Sequence, residues 1–471
     1  MMKVLLVQCP CSFGVEMPPL GLAYLSSFLK KNKYDVAILD LSIILYSQAD
    51  EKDKKYWKSS NGYCWYLKEI FQTLPFINEH YYDGYINKIL SEDSDILGFS
   101  IQNTSALFTL EIIKRIKSKK PHQKIILGGP NCYNTSGNDS DFRLLHDLEK
   151  FADVIVIGEG ENTLLNVLSR IESKQGLEDC RGIVIPKDGK WVFNGFSNPI
   201  NNLDDLPVPD FDAYDLNSYI DRNALPVLTS RGCIMRCVFC TDTFFWVNYR
   251  YRKAQNVVSE IIRMRGKYHN GFVGFNDSLI NGNHQNFVEL CDLLIAKKVG
   301  IKWGGNFRVD KRADRAVLEK MKKSGCEYLI IGIESASNKI LKSMRKGFTI
   351  EEVERFIHDC NYAGVSMTAN WIIGFPGETE EDFMATVDFI TKHRESINKN
   401  TFSTLTINQF SYLERHREEF GIVLDGPHLG LWKSADGSNS IELRNARLRY
   451  LEKMENKIDR DYGVVRQVEN K

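Results

Sequence analysis

The chain has 471 residues, too many for one ordinary domain and suited to two or three, each able to bury a core. Its 61 basic and 61 acidic residues cancel, so the charge balance gives no draw toward nucleic acid or an anionic membrane. Eleven cysteines, an odd number spread over so long a chain, argue against a secreted disulfide scaffold and predict a reducing cytoplasm in which some thiols serve metal or redox chemistry.

Met1–Gln8 runs straight into a strand-like stretch, without the order of a secretory leader, and no apolar run is long enough to span a bilayer. K-V-L-L-V-Q predicts the first strand over Lys3–Gln8, and an amphipathic pattern predicts a helix over Leu20–Lys31. Further strands are predicted over Asp35–Leu41, Asp95–Ile101, Lys124–Gly129 and Asp153–Gly160, with helices over Ser105–Lys119 and Asn162–Ser173. Short Val/Ile/Leu runs without polar alternation are what a parallel sheet covered on both faces requires. Residues 1–197 are thus read as a Rossmann-like α/β domain. Its insert, Ser47–Ser91, is rich in Tyr, Lys and Asp and is predicted helical.

Residues 198–222 form a linker, since N-P and D-D-L-P-V-P-D break both regular structures. Strand and helix patterns then alternate through 223–410. Six strands are predicted, over Leu225–Ser230, Gly271–Asp277, Lys302–Arg308, Tyr328–Ser335, Met367–Phe375 and Thr404–Phe410. Between them lie helices over Ala254–Lys267, Asn283–Lys298, Ala313–Ser324, Ile350–Ala363 and Thr379–His393. This is a six-unit partial (β/α) barrel, whose reactive face belongs at the carboxyl ends of its strands. Residues 411–471 are charged and predicted helical, too few for a third domain.

The most specific local signal is T-S-R-G-C-I-M-R-C-V-F-C-T-D (Thr229–Asp242), which sets Cys233, Cys237 and Cys240 in a C-x3-C-x2-C loop directly after a strand. Three thiolates so close can hold three irons of a cubane and leave the fourth iron without a protein ligand. A structural zinc site needs four ligands, and the closest histidine in sequence is His269. Cys291, Cys326 and Cys360 sit among apolar residues and are predicted to be buried small hydrophobes. Packing is also the default for the closely spaced Cys9 and Cys11.

With Phe239 just before its last cysteine, the loop resembles the signature of the radical S-adenosylmethionine (SAM) superfamily. The resemblance spans about Leu225–Phe410. It implies a [4Fe-4S] cluster on Cys233, Cys237 and Cys240, whose open iron chelates SAM and cleaves it to a 5′-deoxyadenosyl radical. It also implies SAM contacts from Phe239 and from successive strand ends. Asn276 and Asp277 of G-F-N-D-S stand where the family holds the methionine amine, replacing the common Gly-Gly-Glu. Arg308 of N-F-R-V-D suits the methionine carboxylate, a bidentate task for guanidinium. Glu334 and Ser335 of G-I-E-S suit the ribose or the methionine end, and Gly374 and Pro376 of G-F-P-G close backbone approach to adenine. The residues that act on the substrate are not identified by this resemblance.

The first domain resembles the cobalamin-binding domain of cobalamin-dependent radical SAM enzymes, of the class B methyltransferase-like subfamily. The resembling phrases are P-P-L-G-L-A-Y-L, D-I-L-G-F-S, L-G-G-P and V-I-G-E-G-E-N-T-L. They imply cobalamin contacts at Leu20, Gly21, Ser100, Gln102, Gly128, Gly129, Gly158, Glu159 and Gly160. The D-x-H-x-x-G motif is absent, the loop after the first strand reading Q-C-P-C-S-F-G, and Asn131 and Cys132 follow G-G-P where a histidine often stands. The expectation is therefore cobalamin without a protein imidazole on cobalt, or a domain that kept the fold and lost the cofactor.

What these resemblances imply is a cytoplasmic, cobalamin-dependent C-methyltransferase, or an enzyme of rearrangement or cyclisation on the same scaffold. It would act on a small-molecule metabolite and take electrons from a reductant such as flavodoxin or ferredoxin, without nucleic acid or a membrane span. A methylthiotransferase is the nearest rival. It calls for a second cluster on three N-terminal cysteines, a spacing that Cys9, Cys11, Cys64 and Cys132 do not show clearly. A non-catalytic protein keeping a cluster for structure or electron transfer is the rival from another class.

Overall fold

The computed structural model describes residues 2–12, 14–132, 145–424 and 431–461. The chain divides into two compact units, Met1–Pro226 and Val227–Lys471.

In the first unit, β1 (Lys3–Gln8), α1 (Leu20–Lys31), β2 (Asp35–Asp40) and α2 (Leu41–Gln48) open the chain. The insert follows as two 3₁₀ turns, α3 (Lys68–Phe71) and α4 (Glu79–Ser91). It packs Trp57, Trp65 and Phe76 ring on ring, with centroids 5.1 to 5.4 Å apart. Next come β3 (Ile96–Ser100), α5 (Ala106–Lys119), β4 (Lys124–Gly128), β5 (Val154–Val156) and α6 (Gly160–Glu172). The hairpin β6 (Ile183–Lys187) and β7 (Lys190–Phe193) ends the series.

The sheet order is β2-β1-β3-β4-β5-β6-β7. The first five strands are parallel, and Val4, Leu6, Ile96, Ile126 and Val154 pack on Leu29, Val167 and Leu168 of the covering helices. The hairpin was not predicted, and it extends the parallel sheet with two antiparallel strands. Its local signal is Asp188-Gly189, both at positive φ (50° and 74°), the backbone that a two-residue hairpin turn needs. The predicted strand over Asp153–Gly160 is shorter than expected, because Gly158 turns at φ 84° and Gly160 already begins α6.

β8 (Ala224–Val227), whose last residue opens the second unit, leads to the short pair β9 (Ser230–Arg231) and β10 (Arg250–Tyr251), with α7 (Asp242–Phe245) between them. The repeating units are α8 (Ala254–Tyr268), β11 (Phe272–Phe275), α9 (His284–Ala296), β12 (Lys302–Phe307), α10 (Arg315–Lys323) and β13 (Cys326–Glu334). They continue through α11 (Asn338–Ser343), α12 (Ile350–Ala363), β14 (Ser366–Ile373), α13 (Glu380–Lys392) and β15 (Lys399–Thr404). The tail carries α14 (Tyr412–Arg415), the hairpin β16 (Ile422–Leu424) and β17 (Trp432–Ser434), and α15 (Ile441–Asp461).

The six strands β15-β14-β13-β12-β11-β8 follow sequence order, the open barrel the alternation predicts. One strand was placed wrongly. The sixth runs over Lys399–Thr404, not Thr404–Phe410. An edge strand needs only one paired side, so the polar Lys399–Thr404 suffices, while Leu405 and Ile407 leave the sheet to pack in the core with Val238, Phe375 and Trp432. The tail is more than a helix, since Trp432 of its hairpin lies in that core; residues 462–471 of the expected tail fall outside the described residues. Among the described residues, no helix is long and apolar enough to cross a membrane.

Candidate active site

Eight of the eleven cysteines are buried; the three that are part-exposed are Cys233, Cys237 and Cys240. Their loop is pinned at one residue. Val238, fully buried, donates its N–H to Met344 O (3.2 Å) and accepts from Leu413 N (2.8 Å). Gly232 opens the loop at φ 83°, where a Cβ would press on Asn248 O at 2.9 Å. Here glycine is required by both backbone angle and space.

Behind the loop, Asp277 is 1 % exposed. Its Oδ1 accepts from Thr229 N (3.0 Å), Thr229 Oγ1 (2.8 Å), Ser230 Oγ (2.7 Å) and Ser230 N. Burial pushes the carboxyl up to about 6 against the pull of these donors. The carboxylate expected at a ligand is thus spent inside the protein, on the segment that enters the thiol loop. Asn276 beside it is exposed, its N–H donating to Val227 O.

The other strand ends converge on the loop. Arg308, just after β12, donates through Nη2 to Lys346 O (3.0 Å) and Gly347 O (2.9 Å), and its Nε is buried without a hydrogen-bond partner. Glu334 ends β13 at φ 74° and pairs with Lys346 at 3.1 Å, both side chains about nine-tenths buried. A non-glycine residue there costs on the order of 1–3 kcal/mol, strain that concentrates at functional sites. Ser335 is fully buried, and its Oγ accepts from Ser337 N.

Burial raises the pKa of all three thiols, Cys240 to about 12. The positive charges of Lys346 and Arg308 draw Cys237 the other way, and Lys346 does so for Cys233. Glu334 and Asp242 oppose these cations, and positive charge beside part-exposed thiols favours an anionic metal–sulfur group. Lys346, 5.8 Å from the Phe239 ring, was missed in the sequence, where K-S-M-R-K-G reads as an ordinary solvated helix end.

The loop after β14 corrects another expectation. Gly374 sits at φ 78°, but the space a Cβ would take is filled by the Arg444 side chain, so packing from the tail requires glycine there. Pro376 is buried beside it.

In the first unit the sheet order reverses direction between β1 and β3, the switch point beside which α/β sheets bind ligands. Leu20 and Gly21 start α1, Gly21 with open space around it. Ser100 ends β3, and Gln102 caps the next turn with Ser105. Gly128 ends β4, where a Cβ would make only ordinary contact with Val156. Gly129 (φ 111°) faces the Ile101 backbone, with 2.7 Å left to Ile101 O for a Cβ, so this glycine serves strand-end packing. Gly158 turns the chain, Glu159 accepts from Ile200 N (3.2 Å), and Gly160 packs against Leu25. Cys9 and Cys11 are buried, Cys9 pushed up to about 12 by that burial; Cys132 is buried as well.

Comparison with known proteins identifies the barrel. Residues 227–390 match the family model described as the radical SAM superfamily. This chain carries a radical SAM domain. Enzymes with this domain work with a [4Fe-4S] cluster and SAM. It is 27 % identical over 459 residues to a protein of Pyrococcus horikoshii described as an uncharacterized methyltransferase, covering 95 % of this chain and 86 % of the other. It is 33 % identical to the anaerobic magnesium-protoporphyrin IX monomethyl ester cyclase of Rubrivivax gelatinosus, over 49 % of this chain and 43 % of that one. Among solved structures, the radical SAM methyltransferase TsrM from Kitasatospora setae, with cobalamin and a [4Fe-4S] cluster bound, superposes with a TM-score of 0.69. At 19 % identity, over 91 % of this chain and 80 % of the other, that likeness concerns the fold, which includes the N-terminal Rossmann-like unit.

Proposed function

We propose that this protein is a cobalamin-dependent radical SAM enzyme that methylates an unactivated carbon of a small molecule. Cys233, Cys237 and Cys240 would hold the cluster. The observation that carries this is their exposure: only these three thiols are accessible, on one loop, beside the Arg308 and Lys346 charges. A structural zinc would need a fourth protein ligand beside the three thiols, whereas a cubane leaves its fourth iron open.

When bound, the cluster supplies the electron that cleaves the SAM sulfonium. The chain's own residues bind and orient. Arg308, held through Nη2 by Lys346 O and Gly347 O, would turn the rest of its guanidinium to the methionine carboxylate. Glu334, at the next strand end, would be the group for the ribose, while the fully buried Ser335 holds Ser337 N. Asp277 acts through the loop, holding Thr229 and Ser230, and is a positioning residue.

For cobalamin, support comes from the β1/β3 switch point and its small residues, Gly21 above all, where open space adjoins the helix start. The loop after β1, Q-C-P-C-S-F-G, holds no histidine, so a cobalt there would find no imidazole from that loop. Likeness to the Pyrococcus methyltransferase over most of both chains favours methyl transfer. A methylthiotransferase is disfavoured because Cys9, Cys11, Cys64 and Cys132 are each buried and offer no second set of accessible thiols. Electrons would come from a small carrier such as flavodoxin or ferredoxin, in the cytoplasm.

The test is anaerobic reconstitution with iron, sulfide and cobalamin, followed by washing, a visible spectrum, and assay of 5′-deoxyadenosine under strong reductant. The reading expects retained cobalamin absorbance and SAM cleavage that Cys237→Ala abolishes. Cleavage surviving in Cys237→Ala overturns the cluster assignment, and washed protein without cobalamin overturns the methylation reading alone.

A further inference from the structure

Outside the thiol loop, three side chains on the outer helices gather around one point. Glu354 and His358 lie four residues apart on α12, hence on one helical face. His393, which ends α13, brings its ring to 5.8 Å from that of His358, nearly edge-on at 75°. One donor atom from each of the three lies within 4.8 Å of the others.

A second observation singles out His393. It is 3 % exposed, yet its Nε2 has no hydrogen-bond partner, although Glu354 Oε1 is only 3.2 Å away. The ring cannot turn freely to water, because Phe389 covers it at 4.4 Å and its backbone is held by Phe389 O and by the N–H groups of Ser396 and Ile397. The nitrogen is therefore fixed, dry and aimed at a carboxylate.

We propose that Glu354, His358 and His393 form a binding site for a divalent ion of the zinc class, with water as fourth ligand. Two imidazoles and one carboxylate are a zinc donor set. Lys392 Nζ sits 2.5 Å from Glu354 Oε1 and is the cation that the metal displaces. His393 precedes β15, so the site lies toward the amino ends of the strands, opposite the end that carries the thiol loop. The ion would join α12 to α13 and take no part in the reaction.

The test is metal analysis of the full chain after zinc loading and desalting. A Cys233→Ala/Cys237→Ala/Cys240→Ala background removes zinc captured by the thiol loop. About one zinc per chain should remain in that background, with a raised Tm. Adding His358→Ala should remove both; this side chain is exposed, so its loss leaves the fold intact. Glu354→Gln should weaken zinc binding without abolishing the fold. A background protein that holds no zinc overturns the site, and so does equal zinc with and without His358→Ala. Either result leaves the cluster assignment untouched.

Discussion

Arg447 of the C-terminal helix donates through Nη1 to Glu378 Oε2 at 2.8 Å, both side chains almost fully buried. The same carboxylate oxygen accepts from Gly374 N at 2.8 Å, and Asn439 Nδ2 donates to the carbonyls of Gly374 and Phe375. The tail thus clamps the loop that follows β14. Burial pushes Glu378 up to about 7, while the Gly374 N–H and Arg447 pull it down.

Arg447→Ala should therefore destabilise the protein by about 3–5 kcal/mol, since it strands a buried carboxylate. Adding Glu378→Gln should recover part of that loss, because the stranded charge disappears. Urea denaturation of the two variants and the wild type measures both. Equal stability of Arg447→Ala and wild type would contradict the clamp.

Asp277→Ala removes the acceptor shared by Thr229 and Ser230. The expected result is a loss of about 2 kcal/mol or more in stability and less iron retained per chain after anaerobic reconstitution. Asp277→Asn keeps one acceptor oxygen and should fall between. Full iron retention in Asp277→Ala would show that the loop holds itself.

Asp40 gives a pH prediction. Its carboxylate is fully desolvated, accepts from Tyr219 Oη (2.7 Å), Ser42 N and Ile43 N, and is pushed up to about 6 by burial. The folded value lies above the unfolded one, so the folded state binds the proton more tightly. The resulting stability is full below about pH 4 and lost as pH rises through about 6. Asp40→Asn should match wild type near pH 4 and exceed it increasingly toward pH 7, by an amount on the order of 3 kcal/mol. A constant gap in urea midpoint from pH 4 to 7 would refute this.

The glycines of the first unit separate packing from ligand approach. Gly129→Ala meets the Ile101 backbone and a left-handed φ, and should cost about 2–4 kcal/mol. Gly21→Ala meets open space inside a helix and should be neutral or stabilising by up to about 1 kcal/mol. If cobalamin lies over that helix start, Gly21→Ala should nonetheless lower the cobalamin retained after washing. Unchanged retention would move the cofactor away from Gly21.

Residue pattern alone determined the βα order, because burying both faces of a parallel sheet leaves unbroken Val/Ile/Leu runs such as Lys3–Gln8 and Ile96–Ser100. It also determined the thiol loop, because three cysteines within eight residues need no long-range contact to share one loop. The edge strand Lys399–Thr404 was not legible, since a strand paired on one side can be polar. Nor was the tail's grip on Gly374, or the meeting of Lys346 with Glu334 and Arg308. Asp277 looked like a ligand contact from its place at a strand end. Only the folded chain showed where its lone pairs go, because hydrogen-bond partners 47 and 48 residues apart are chosen by packing, not by local sequence.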